Sequence, residues 1–141
     1  MNLHSLEFAL RAVLFKETNS VQHFDAKNLR VGDTYPINFF TNYMQLRELI
    51  ENYNELPSTN LPISDEPIKL RDALAHGRVS SQLPDMKLEI VKFRPERNGQ
   101  VRVVFYEKIT EEWLKKQVSM LNGEIKKISK DYSSILSLIT N

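Results

Sequence analysis

The sequence predicts a mainly α-helical bundle with a β-hairpin inserted before a long C-terminal helix, in a single domain covering residues 1–141. Three observations lead there. Apolar residues recur at helical spacing in four separate stretches. Between residues 86 and 108 the pattern switches to the two-residue alternation of strands on either side of Asn98-Gly99. After Thr110 an apolar seam advances in steps of four and three through more than three heptads.

Residues 3–17 form the first predicted helix, with Leu3, Leu6, Leu10, Val13 and Leu14 on one stripe and Glu7, Arg11 and Lys16 off it. Asn19, Ser20, Asn28, Gly32, Asp33 and Pro36 then punctuate residues 18–37, leaving room for a short helical turn at Val21 to Lys27. A structureless connection of about twenty residues is unusual in a compact domain, so this segment either carries local structure or helps to cover a site. From about residue 39 to 55, Phe39, Phe40, Tyr43, Leu46, Leu49, Ile50 and Tyr53 recur at helical spacing behind Asn38 as a cap. A turn containing Pro57, Ser58, Asn60 and Pro62 leads into a third helix. Ser64, Asp65, Glu66 and Pro67 mark its start, Gly77 its stop, and Ile68, Leu70, Ala73 and Leu74 its apolar stripe.

Met86 to Arg94 and Gln100 to Lys108 alternate through Leu88, Ile90, Phe93, Val101, Val103 and Phe105, and they flank Pro95-Glu96-Arg97-Asn98-Gly99 as a hairpin. A two-stranded ribbon is marginal alone, which places its apolar face on the helices or on another subunit. Thr110 caps the last helix, and Glu111 and Glu112 suit its N-terminal dipole. Its seam is Leu114, Val118, Leu121, Ile125, Ile128, Tyr132, Ile135 and Ile139. About thirty helical residues would span roughly 45 Å, long for such a domain. The seam packs on the first two helices or, in part, on a twin subunit, and Gly123 permits close packing or a bend.

Composition bounds the function. A chain of 141 residues with 41% hydrophobic and 26% charged residues suits one folded globular domain. Zero cysteines exclude disulfide frameworks, thiolate zinc sites and cysteine nucleophiles. Glu7 and Arg11 interrupt the apolar stretch near the N-terminus, and no run of about 18 apolar residues occurs, so a cytoplasmic protein without a membrane partner is expected. The net charge of +1 is unevenly spread. Residues 41–66 hold five acidic side chains against Arg47 alone, whereas residues 69–108 hold nine basic against five acidic, with Arg71, Arg78, Arg94, Arg97 and Arg102 among them. That excess fits a phosphate backbone or an ordinary solvated face.

The third helix carries the chemistry. Arg71, Asp72 and His76 are the polar exceptions among its apolar positions. Residues four apart project about 40° apart, so Asp72 can reach His76 and fix its tautomer or hold its proton. Arg71 projects about 140° from His76, and their convergence needs the long side chain to reach round, or a second subunit. Arg71, polar Asp72 and His76, flanked by Leu70, Ala73, Leu74, Ala75 and Gly77, resemble the signature with four residues between Arg and His found in the HEPN superfamily. The likeness is specific over about eleven residues and architectural elsewhere.

That resemblance implies a HEPN-like helical bundle and a metal-independent endoribonuclease that leaves 2′,3′-cyclic phosphate ends, needs no cofactor, and serves as a toxin or phage-defence component. It further implies a homodimer whose motif helices meet in one composite site, an RNA substrate and, in some members, an antitoxin protein. Arg71 would hold the phosphate, His76 would transfer protons, and Asp72 would orient His76 or Arg71. Lys69 and Arg78 are candidates for RNA backbone contacts. From the residues alone, Arg71 pairing with Asp72 or an acidic residue of the second helix, with His76 a helix-end residue, fits as well. The alternative function is a catalytically silent interaction or RNA-binding protein that oligomerises through its C-terminal helix.

Other chemistries lack support. His4 and His23 have no partner at metal-ligand spacing, and HExxH, GxSxG, P-loop and GxGxxG patterns are absent. Trp113 and Tyr132 fit core or interface positions. Phe93, Phe105 and Tyr106 suit strand packing or stacking on bases.

Overall fold

A computed structural model describes residues 3–18, 30–82 and 87–133. Among these residues the chain is mainly helical, in the order α1 (Leu3–Thr18), α2 (Leu46–Asn54), α3 (Glu66–His76), β1 (Arg78–Gln82), β2 (Lys87–Phe93), β3 (Val103–Ile109) and α4 (Glu111–Asp131). The strands form one antiparallel sheet in the order β1-β2-β3, placed before the C-terminal helix. The turn expected at Val21 to Lys27, His23, Met86 and the seam residues Ile135 and Ile139 lie outside the described residues. Contacts divide the chain into two compact units, one built mainly from Ser64–Gly123 and the other from His4–Ile63 with the chain from Glu124 onward.

In the second of these units the expected stripe of α1 is buried at Leu6, Leu10, Val13 and Leu14, and Leu49, Ile50, Tyr53, Ile63, Ile128 and Tyr132 join the core. Helix α2 begins at Leu46 rather than near residue 39. Asn38 caps a local turn instead, its side-chain oxygen accepting from the Phe40 and Thr41 N–H groups at 2.7 and 3.2 Å. Helix α2 takes its start at Gln45, whose N–H donates to Glu48 Oε2 at 2.8 Å. Arg11 supplies the reason for the late start. Its guanidinium donates to the carbonyls of Phe39 (2.6 Å), Asn42 (3.3 Å) and Met44 (2.7 Å) and to Asn42 Oδ1 (2.7 Å), and so binds this stretch as a loop. Phe40 is packed against Phe8 and Phe15, with ring centroids 5.8 and 5.0 Å apart, while Tyr43 is fully exposed.

Further along this unit, Asp131 accepts from the Asn60 and Leu61 N–H groups at 2.9 and 2.8 Å, and the Tyr132 hydroxyl bonds Ser58 at 2.7 Å and Thr59 at 3.1 Å. Tyr53 meets Tyr132 edge-on at 5.7 Å. Its own hydroxyl is buried without a hydrogen-bond partner among the described residues, and burial, with Asp131 adding to it, holds its pKa well above the usual tyrosine value. Tyr53→Phe is therefore expected to leave stability unchanged or slightly raised, whereas Tyr132→Phe loses about 1 kcal/mol. Urea denaturation reads both, and equal losses would show that the Tyr53 hydroxyl is bonded after all.

In the unit built on Ser64–Gly123, the hairpin expected from the sequence is present as β2 and β3, with β1 as a third, unanticipated strand. Asn98 and Gly99 both have positive φ (53° and 73°), and Arg97 and Gln100 exchange backbone hydrogen bonds of 2.9 and 3.1 Å around them. This is the two-residue turn whose twist matches that of paired strands. Ile90 is the buried centre of the sheet, while Leu88, Val101, Val103, Val104 and Tyr106 are exposed. Thr110 caps α4 as expected, its hydroxyl accepting from Trp113 N–H at 3.0 Å. Along the seam, Leu121, Ile128 and Tyr132 are buried, but Leu114 and Val118 are exposed.

Candidate functional site

The motif helix α3 starts behind Asp65, whose backbone carbonyl accepts from Lys69 N–H at 3.1 Å, and it places Pro67 in its first turn. Pro67, Ile68, Leu70 and Ala73 are buried, and the helix lies on β2. Leu74, expected on the apolar stripe, is exposed. The helix ends at Gly77, whose N–H donates to Ala73 O at 2.7 Å, and the chain passes directly into β1.

Strand register decides which side chains share a face with this helix. Ile90 and Lys92 alternate onto the α3 side of β2, and Leu88, Phe105, Glu107 and Ile109 share that face. Val91 and Phe93 lie on the other side, as does Arg78, which pairs with Val91 and sits over the Phe93 ring at 5.5 Å. Arg78 thus occupies the sheet face opposite the motif helix.

The remaining candidates are on α3. Arg71 Nη1 lies 3.3 Å from Asp72 Oδ1, and Lys92 Nζ, which the sequence reading did not single out, lies 3.8 Å from Asp72 Oδ2. One carboxylate therefore stands between two cations, leaving a net positive cluster at a half-buried position. Strand parity was the signal that could have found Lys92, since it shares the face of Ile90, which packs towards α3. His76 is exposed in the last helical turn and makes no hydrogen bond or ion pair among the described residues. Asp72 and His76 do not bond in this chain; Asp72 orients Arg71 and Lys92 instead. Lys69 shares the helix face of His76, about 10 Å away along the axis. Its ammonium is held by Glu66 at 2.7 Å, and that hydrogen bond raises its pKa.

Chemically, the arrangement offers a forked cation fixed in orientation by a carboxylate, a second cation beside it, and an accessible imidazole two turns or less away on the same helix. Such a set can bind a phosphodiester and exchange protons with it. Among the described residues no three His, Cys, Asp or Glu side chains gather as a metal site requires. Likewise, no described helix is long and apolar enough to cross a membrane. Comparison with known proteins finds no matching family model, no matching curated protein and no matching solved structure.

Proposed function

We propose that this chain is a metal-independent endoribonuclease of the HEPN type, serving as a toxin or phage-defence component and acting through a composite site shared by two copies. The observation that carries this reading is the division of labour on α3. Arg71 is oriented by Asp72, while His76 remains exposed and unengaged among the described residues. In the reaction, one imidazole removes the proton of a ribose 2′-hydroxyl, the 2′-oxygen attacks phosphorus, and the bond from phosphorus to the 5′-oxygen breaks. A second imidazole, His76 of the partner subunit, protonates the leaving oxygen, so the products are a 2′,3′-cyclic phosphate and a 5′-hydroxyl. The two Arg71 guanidiniums stabilise the charge that gathers on the phosphoryl oxygens.

The test is cleavage of an end-labelled structured RNA in EDTA by wild-type protein and by His76→Ala, each first shown to be folded. His76→Ala is expected to lose at least about 100-fold in rate, the usual worth of a general acid or base. Equal rates would remove His76 from the chemistry. A second reading has its own support in the exposed Leu114 and Val118, the first half of the apolar seam of α4. A silent interaction or RNA-binding protein that oligomerises through this helix would show no cleavage by either form and would lose self-association on Leu114→Glu with Val118→Glu.

A further inference from the structure

At the far end of the β2–β3 ribbon from the sheet centre, Arg94, Pro95, Arg97, Gln100, Val101, Arg102 and Val103 line an open cleft of about 570 Å³. Arg94 donates its backbone N–H to Arg102 O at 2.8 Å, so these two arginines stand directly opposite each other. Like charges in that position repel and destabilise a ribbon. No carboxylate relieves them, since Arg94, Arg97 and Arg102 form no ion pair or side-chain hydrogen bond among the described residues. The pairing of Arg97 with Gln100 sets Pro95 and Glu96 against Val101 alone, a bulge that returns Arg97 to the face of Arg94 and Arg102. On β2 that face is also the face of Lys92, which stands beside the Arg71–Asp72 pair. The basic groups therefore form a row, Lys92, Arg94 with Arg102, then Arg97, extending roughly 15 Å from the motif helix at strand rise.

We propose that this row is a phosphate-backbone grip, which holds a single-stranded RNA along the hairpin and leads it to the motif helix. Several features favour a polynucleotide over a single small anion. The row is longer than one phosphate group, its cations follow one another along a strand, and guanidiniums present paired donors to phosphate oxygens. It lies in the open and contains no built enclosure for a small ligand. The choice of RNA rests on the nucleolytic reading; the grip itself does not require His76.

Binding of a short labelled single-stranded RNA is measured by fluorescence anisotropy over a range of salt in EDTA, with His76→Ala as the parent so that the probe stays intact. The comparison variant adds Arg94→Gln, Arg97→Gln and Arg102→Gln. These side chains are exposed and bonded to nothing among the described residues, and circular dichroism is recorded first to check that the variant keeps its helices and sheet. The expected result is a loss of at least about tenfold in affinity and a logarithmic salt slope shallower by about 2, since each single-strand phosphate contact contributes roughly 0.7. Unchanged affinity and slope would overturn the grip. A parent that binds phosphatidylserine vesicles but not RNA would also overturn it, assigning the row to a lipid surface. Wild-type cleavage is read separately. Arginine-dependent binding without cleavage keeps the grip and removes the nuclease reading, whereas cleavage with arginine-independent binding does the reverse.

Discussion

Arg11→Met is expected to lower the unfolding free energy of the unit built on α1 by about 2 to 4 kcal/mol, the cost of leaving several part-buried acceptors without their donor. The magnitude follows from what the guanidinium holds. Its side chain is only 11% exposed and donates to Glu7 Oε1 at 3.1 and 3.0 Å, to three carbonyls between Phe39 and Met44, and to Asn42 Oδ1. Methionine keeps the apolar stem but leaves these acceptors half-buried and unpaired, at about 1 to 3 kcal/mol for each one that water cannot reach. Arg11→Lys is expected to recover little, because an ammonium cannot serve Glu7 on one edge and separate carbonyls on the other. Chemical denaturation monitored by circular dichroism gives the loss, and hydrogen exchange should show the amides of residues 38–45 opening first. A loss below about 1 kcal/mol for Arg11→Met would mean that the loop holds itself.

Arg11 also explains where the sequence was misleading. Phe39, Phe40 and Tyr43 have helical spacing, but spacing says nothing about carbonyls claimed by a distant arginine, so the loop from Phe39 to Met44 was invisible before folding. By contrast, α1, α3 and the start of α4 were legible, because each is fixed by local signals: a buried stripe, Pro67 with Gly77, and the Thr110 cap. The hairpin was legible for the same reason, since Asn98-Gly99 specifies the turn by backbone preference alone. Strand β1 was not. Its Val79-Ser80-Ser81 carries no apolar alternation and is recruited by pairing with β2, a contact distant from any local preference. At the candidate site, Arg71, Asp72 and His76 could be named from spacing, but helix geometry allowed Asp72 either neighbour. Lys92 weighs on that choice, drawing Asp72 towards the sheet, and it enters only through strand parity.

Two glycines should respond in opposite directions to the same substitution. Gly123 lies inside α4 with nothing within 4 Å of an added Cβ, so Gly123→Ala is expected to stabilise by about 1 kcal/mol through backbone entropy alone. Gly77 has an ordinary φ of −73°, so its need for glycine is one of space. A methyl there would collide with the backbone carbonyl of Ala73 and lie 2.8 Å from Ile90 Cγ1. The carbonyl cannot swing away without releasing the 2.7 Å hydrogen bond that closes α3, and Ile90 is the buried centre of the sheet. Gly77→Ala is therefore expected to cost about 2 to 3 kcal/mol, the effect of overpacking rather than of strain in φ. Urea denaturation of the two single variants decides it, and a Gly77→Ala protein as stable as wild type would show that the helix-to-strand joint yields freely. A double-mutant cycle with Ile90→Val separates the obstacles: little coupling assigns the cost to the carbonyl, strong coupling to the side chain. His76 and Arg78 flank this glycine, so any shift that admits the methyl moves His76 relative to Arg71. Under the nucleolytic reading, Gly77→Ala then slows cleavage even in its folded fraction, which Gly123→Ala does not.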